Sequence, residues 1–279
     1  MPYQFQQTQD ARFFTLVSSV GGNINGANLF AAAPNAKGAW TNVGSPTPYT
    51  AEMLNVRIYQ ASAAANFLVD IGIKTTAGSV QTLLENLNLP SLSTVNQGLS
   101  DYGFPIHVPR SSQLVGRAQC TTSGLNLVVA VHAAAANPWG IPGRAKAYTL
   151  GVNSANSRGT TLDTGGVANT KTGSFVVIHS AVPANLKAFL IAIGNGGDVS
   201  RTGSGAGLFD VAVGPVGSET TILPNFPWMF ESTRDSPSPY TLPIMPCDIK
   251  SGTRISARQQ CTNNTAGDRG IDIIIYGLP

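Results

Sequence analysis

The chain has 279 residues, 42% of them hydrophobic and only 11% charged, with a formal net charge of +3. Soluble domains ordinarily carry about a quarter charged residues, so Ser, Thr, Asn, Gln, Gly and Ala must build most of this surface. No apolar run approaches a membrane span, the 30 Gly and 18 Pro follow no collagen-like period, and a mild basic excess without a Lys/Arg cluster is no footprint for specific nucleic-acid binding.

Residues 1–10 are polar and read as a free N-terminal arm, with neither the basic nor the apolar region of a secretory signal. Strands are predicted at about 13–18, 38–44, 53–60, 67–73, 80–85, 104–109, 113–119 and 125–132. The signal is period-two alternation, as in Leu125/Leu127/Val129/Val131. Gly, Pro, Ser and Asn punctuate the gaps, and Asn137–Arg144 reads as a linker. Beyond it the chain repeats itself. Ala11–Ser19 reappears as Ala145–Ser154, Gly38–Ser45 as Gly173–Ser180, and Val69–Ile73 as Phe209–Val213. Leu83–Asn86 returns as Ile222–Asn225, Phe104–Ile106 as Leu242–Ile244, Arg117–Cys120 as Arg258–Cys261, and Leu125–Val129 as Ile271–Ile275. The order is kept, and the offset drifts only from about 133 to about 146 residues. The pattern predicts an all-β fold of two tandem antiparallel β-sandwich domains, jelly-roll-like, at 11–136 and 145–279, produced by an internal duplication.

Chemical signatures are sparse. His107, His132 and His179 are far apart and fall on positions the repeat does not keep. Cys120, Cys247 and Cys261 form no CxxC; a Cys247–Cys261 bridge is the alternative to free thiols acting as small apolar residues. The glycine-rich run Gly203–Gly207 precedes a strand rather than a helix, so it lacks the context of a phosphate loop. No catalytic residue, cofactor or metal ligand is assigned, and the chain reads as a non-enzyme. Asp70 and Asp210 are kept in both copies, as are Arg117 and Arg258. These make either a cross-strand Asp–Arg pair in each unit or, on the functional reading, calcium ligands or sugar-binding acids. Tyr102, Phe104, Trp228, Phe230 and Tyr240 fall in loop-like segments, where they could stack on sugar rings, anchor an interface or cover the sandwich ends.

Taken together, Leu208–Val213, Gly217–Asn225, Leu242–Ile244, Ser251–Gln260 and the closing Ile271–Gly277 resemble the small β-sandwich structural proteins of tailed-bacteriophage virions, of the decoration, collar and tail-appendage type. That resemblance implies a non-enzymatic virion protein, made in the host cytoplasm and assembled in a ring or lattice at the neck, collar or tail. Its partners would be other virion proteins and copies of itself, without membrane insertion or specific nucleic-acid contact. The alternative is a carbohydrate-binding or host-adhesion module, with a host glycan as partner of the loop aromatics.

Overall fold

The computed structural model describes residues 13–16, 26–75, 78–90, 99–135, 142–196, 202–231, 234–238 and 241–279. The first unit is built from β1 (Phe13–Leu16), β2 (Ala27–Phe30), β3 (Thr41–Asn42), β4 (Met53–Tyr59), β5 (Phe67–Lys74), β6 (Val80–Leu89), β7 (Leu99–Phe104), β8 (Gln113–Cys120) and β9 (Asn126–Ala134). The second comprises β10 (Tyr148–Leu150), β11 (Val152–Asn153), β12 (Arg158–Leu162), β13 (Val176–His179), β14 (Leu186–Gly194), β15 (Gly205–Val213), β16 (Thr220–Glu231), β17 (Arg234–Ser238), β18 (Met245–Ile249), β19 (Ile255–Cys261) and β20 (Ile271–Leu278). Among the described residues the one helical turn is a short 3₁₀ segment, Ser154–Asn156.

Each unit is an antiparallel sandwich, and the two have the same topology. In the first, β1 and β2 share the edge of β9, followed by β4 and β7; the opposing sheet runs β3-β8-β5-β6. In the second, β10 and β12 share the edge of β20, followed by β14 and β18, and the opposing sheet runs β13-β19-β15-β16-β17. With β1/β2 and β10/β12 each counted as one interrupted edge strand, both units have eight strand positions in two sheets, β11 and β17 being additions in the second, as in a jelly roll. The inward-facing Val69 and Ile71 correspond to Phe209 and Val211, all fully buried. The segment β2 lies in a stretch that reads as loop, because Ala27–Phe30 is too short to show a period. The strand expected at 104–109 instead ends at Phe104, since Pro105 and Pro109 lack the N–H a ladder needs. The N-terminal arm and residues 137–141 of the linker lie outside the described residues; Arg144, at the linker's end, bonds back to the first unit through Pro105 and His107.

The units share a core. Inward residues of β14 and β20 (Phe189, Ile191, Ile273, Ile275) fill the second sandwich. Their outward neighbours Ala188, Leu190, Ala192, Ile274, Tyr276 and Leu278 join the core of the first. Both faces of β20 are therefore buried over its whole length. Tyr276 enters the open side of the first sandwich, between β6 and β7. Its ring makes edge contacts with Tyr102 and Phe104, at centroid separations of 5.7 and 5.6 Å. Its hydroxyl accepts from the Asn88 N–H at 3.0 Å and donates to the Asn86 carbonyl at 2.8 Å.

Candidate functional site

The outer face of the sheet β3-β8-β5-β6 carries a polar cluster that recurs on β13-β19-β15-β16. Asp70 on β5 stands directly opposite Arg117 on β8, and Asp210 on β15 opposite Arg258 on β19. The arginine Nε lies 2.8 Å from the carboxylate in the first unit and 3.0 Å in the second. The other carboxylate oxygen accepts from Lys37 Nζ at 2.6 Å, or from Lys171 Nζ at 2.5 Å. It also accepts a backbone N–H, from Asn86 or Asn225, at 2.8 Å in both units. Each lysine donates in addition to the same asparagine's side-chain oxygen.

The backbone is shaped for this. Asn86 and Asn225 have φ of 56° and 52°, a left-handed conformation that Asn tolerates better than most residues. Each sits where the ladder to the neighbouring strand shifts register, and such a bulge re-aims the groups beside it. The opposite face of each guanidinium carries an aromatic ring: Arg117 Cζ is 4.4 Å from the Trp40 centroid, and Arg258 Cζ 4.5 Å from that of Phe175. Both rings are only half-buried. Burial pushes the Lys37 ammonium pKa down against the opposing pull of Asp70. At Asp210 burial pushes the carboxyl up, but hydrogen bonds from Lys171, the Asn225 N–H and Arg258 outweigh it and hold the pKa below the usual range. With 1% and 2% of their surface exposed and both oxygens engaged, the two carboxylates order their cations and do not face a ligand. Among the described residues, no group of three or more His, Cys, Asp and Glu side chains is arranged to hold a metal ion.

The two clusters differ in what lies beside them. In the second unit the face continues into an open trough of about 510 Å³, formed by Ala206, Leu208, Pro227 and Met229, with Asn169, Gln260 and Thr262 at its polar margin. Leu208 is opposite Gln260 on one side and Pro227 on the other, two residues along from the Asp210–Arg258 pair. Met229 is 55% exposed. In the first unit the corresponding Leu68, Asn88 and Gln119 are buried, because the second unit lies on them. Gln119 Nε2 donates to the Ser154 carbonyl at 2.8 Å and to Ser157 Oγ at 3.1 Å, and Ser157 Oγ donates to Asn35 Oδ1 at 2.8 Å. The trough is thus sealed in one repeat and open in the other.

The aromatics expected at exposed loops are elsewhere. Tyr102 and Phe104 lie on β7 and Trp228 and Phe230 on β16, all at most 3% exposed; Trp228 borders the trough described above but exposes almost none of its surface there; Tyr240 is outside the described residues. Their inward positions follow the alternation of the strands, which proline and glycine neighbours disguise in the sequence. Register also realigns the repeat: Tyr102 pairs with Val56 and Met245 with Phe189, so β18, and not Leu242–Ile244, corresponds to β7. Sequence reasoning assigned no chemistry to Trp40, Phe175, Lys37 or Lys171. The signal was present, since Asn35-Ala-Lys37 and Asn169-Thr-Lys171 repeat inside segments that otherwise read as loop.

No family model and no curated protein matches the chain. Among solved structures, a peptide-N4-(N-acetyl-β-D-glucosaminyl) asparagine amidase is 14% identical with a TM-score of 0.33, covering 91% of this chain and 96% of its own. PNGase F, a glycosylasparaginase from Flavobacterium meningosepticum, is 11% identical over 96% of both chains, TM-score 0.33. The CBM22-1–CBM22-2 tandem of Xyn10C from Paenibacillus barcinonensis is 11% identical over 96% of this chain and 91% of that one, TM-score 0.24. At these identities and TM-scores the likenesses transfer no site. They correct two expectations nonetheless. Glycan amidases and a CBM22 tandem stand among the matches and lend the reading as a virion protein of the neck, collar or tail no support, so it is withdrawn. Its companion, that the chain is not an enzyme, is withdrawn too, because amidases stand among the matches.

Proposed function

We propose that the chain binds carbohydrate through the outer face of its second unit. The observation that carries this reading is the open trough beside the Asp210 cluster. Its Leu208, Pro227 and Met229 floor suits the C–H face of a sugar ring, while Asn169, Gln260 and Thr262 place amide and hydroxyl groups where ring hydroxyls would lie. A mostly apolar concavity with a few directed polar groups is the usual form of a small-ligand site, and its volume is within the ordinary range of about 300–1,000 Å³. Phe175, held on the Arg258 guanidinium, supplies a half-exposed aromatic face at the adjoining end. The first unit contributes support: it fixes the second unit in place and has its own trough closed. A glycan microarray probed with the full chain tests this. Retention of a defined glycan set is expected, with loss of at least tenfold in affinity for Met229→Asp and for Gln260→Ala. Absence of any retained glycan, or retention unaffected by both substitutions, would overturn the reading.

A further inference from the structure

A second cavity, distinct from the trough, opens on the side of the second sandwich between β16 and β18. It measures about 450 Å³ and is walled by Phe189, Val213, Ile222, Leu223, Met245 and Cys247. Its counterpart in the first unit is full. There Tyr102 and Phe104 project from β7, and Tyr276 is inserted from the second unit, so three aromatic rings occupy the gap between the sheets. By register, the position of Tyr102 is taken by Met245 in the second unit. Two residues on, where the first unit has Phe104, the second has Cys247, just before the β14–β18 ladder shifts register. Among the described residues no tyrosine lines the slot. Loss of the rings has emptied a slot whose walls the duplication otherwise kept, with Ile222 and Leu223 in the places of Leu83 and Leu84.

We propose that this slot is a second ligand site, for an uncharged aromatic small molecule of about two fused rings. The size follows from the rings that fill the slot in the other repeat. The absence of charge follows from the rim, where Asp248 is already paired with Lys187 at 2.8 Å and Lys250 at 3.0 Å. Cys247 lines the slot and is half-buried, whereas Cys120 and Cys261 are fully buried. Its thiol is therefore a built-in reporter; burial pushes its pKa up to about 11, so alkylation is slow but measurable at mildly alkaline pH.

The test uses the full chain and 2-naphthol. Fluorescence titration should show saturable binding at one site per chain. Saturating 2-naphthol should slow iodoacetamide modification of Cys247, read by peptide mass spectrometry, at least fivefold. The double substitution Met245→Tyr/Cys247→Phe, which restores the residues of the first unit, should remove the titration signal. Non-saturable binding, unchanged Cys247 alkylation in the wild-type chain, or a folded double variant that still binds would each overturn the proposal. The trough variant Met229→Asp should leave 2-naphthol binding intact; its loss there would place the ligand in the trough and likewise overturn it.

Discussion

Asp210 shows how a single buried carboxylate organises a surface. It holds Lys171, Arg258 and the Asn225 backbone together, and through Arg258 it fixes the Phe175 ring. Replacing one member of a buried ion pair leaves the others uncompensated, at a cost of about 3–5 kcal/mol. Asp210→Asn should therefore lower stability by about 3 kcal/mol at pH 7, measured by urea unfolding. The folded pKa of Asp210 is depressed, so its stabilisation is complete above the unfolded carboxyl value of about 3.9 and disappears as pH falls through the lower folded value. The gap between wild type and Asp210→Asn should accordingly narrow below about pH 4; a gap that widened there would contradict the assigned sign.

Gly207 is a second residue whose identity is dictated by a neighbour. A Cβ there would lie 2.3 Å from the Gln260 carbonyl oxygen and 2.5 Å from Trp228 Cε2 and Nε1, so the indole packs against bare backbone. Gly205 makes the same room for the Phe230 ring, at 2.8 Å. The glycine-rich run that superficially suggests a phosphate loop is a bed for two aromatic side chains. Overpacking of this kind costs about 1–3 kcal/mol, and Gly207→Ala should destabilise by that amount and alter the near-ultraviolet circular dichroism of Trp228. An unchanged spectrum with unchanged stability would show that the indole does not depend on this contact. The Asp–Arg pairs could be anticipated from sequence, because each member repeats on an alternating strand. The lysine and aromatic members could not, because they lie in connecting segments where no period marks which way a side chain points.

At the scale of elements, β20 illustrates where pattern reading fails. Ile271, Ile273 and Ile275 alternate with Asp272, Ile274 and Tyr276, and alternation of that sort assigns the second set to solvent. In the structure Ile274, Tyr276 and Leu278 face the first unit instead. The apolar character of two of these three was the only clue, and it has no meaning until the partner surface is known. The strand's corresponding face in the first unit is formed by Val128, Ala130 and His132 on β9 and by Asn55 and Arg57 on β4, with Arg57 paired to Asp101 at 3.1 Å. The duplicated face has thus diverged: apolar where it meets the other unit, and carrying His132, Asn55 and Arg57 beside Val128 and Ala130 where it does not. Tyr276→Phe tests the docking directly. It would strand the Asn88 N–H and the Asn86 carbonyl, and buried polar groups left unpaired cost about 1–3 kcal/mol each. A loss of about 2 kcal/mol in calorimetric stability is expected, and a change below 0.5 kcal/mol would show that the hydroxyl is not integral to the interface.

For the whole molecule, the low charge content takes on a definite structural sense. Part of the surface that a lone sandwich would expose is spent between the repeats, where Ala188, Leu190, Ala192 and Ile274 lie against the first core. An uncharged surface was legible in the composition; that the chain itself covers some of it was not, because composition carries no information about which repeat faces which. The same asymmetry extends to the cavities. Head-to-tail packing closes the outer-face trough of the first unit and the gap beside β6, and leaves both counterparts open in the second. Two equivalent sandwiches thereby become one unit with both sites filled and one with both open.

The most direct test is the stoichiometry of glycan binding, measured by isothermal titration calorimetry on the full chain with a glycan retained on the array. One site per chain is expected, abolished by Met229→Asp and preserved in Trp40→Ala, whose ring belongs to the sealed repeat. Two sites per chain, or binding lost with Trp40→Ala and kept with Met229→Asp, would contradict the assignment of the open trough as the site.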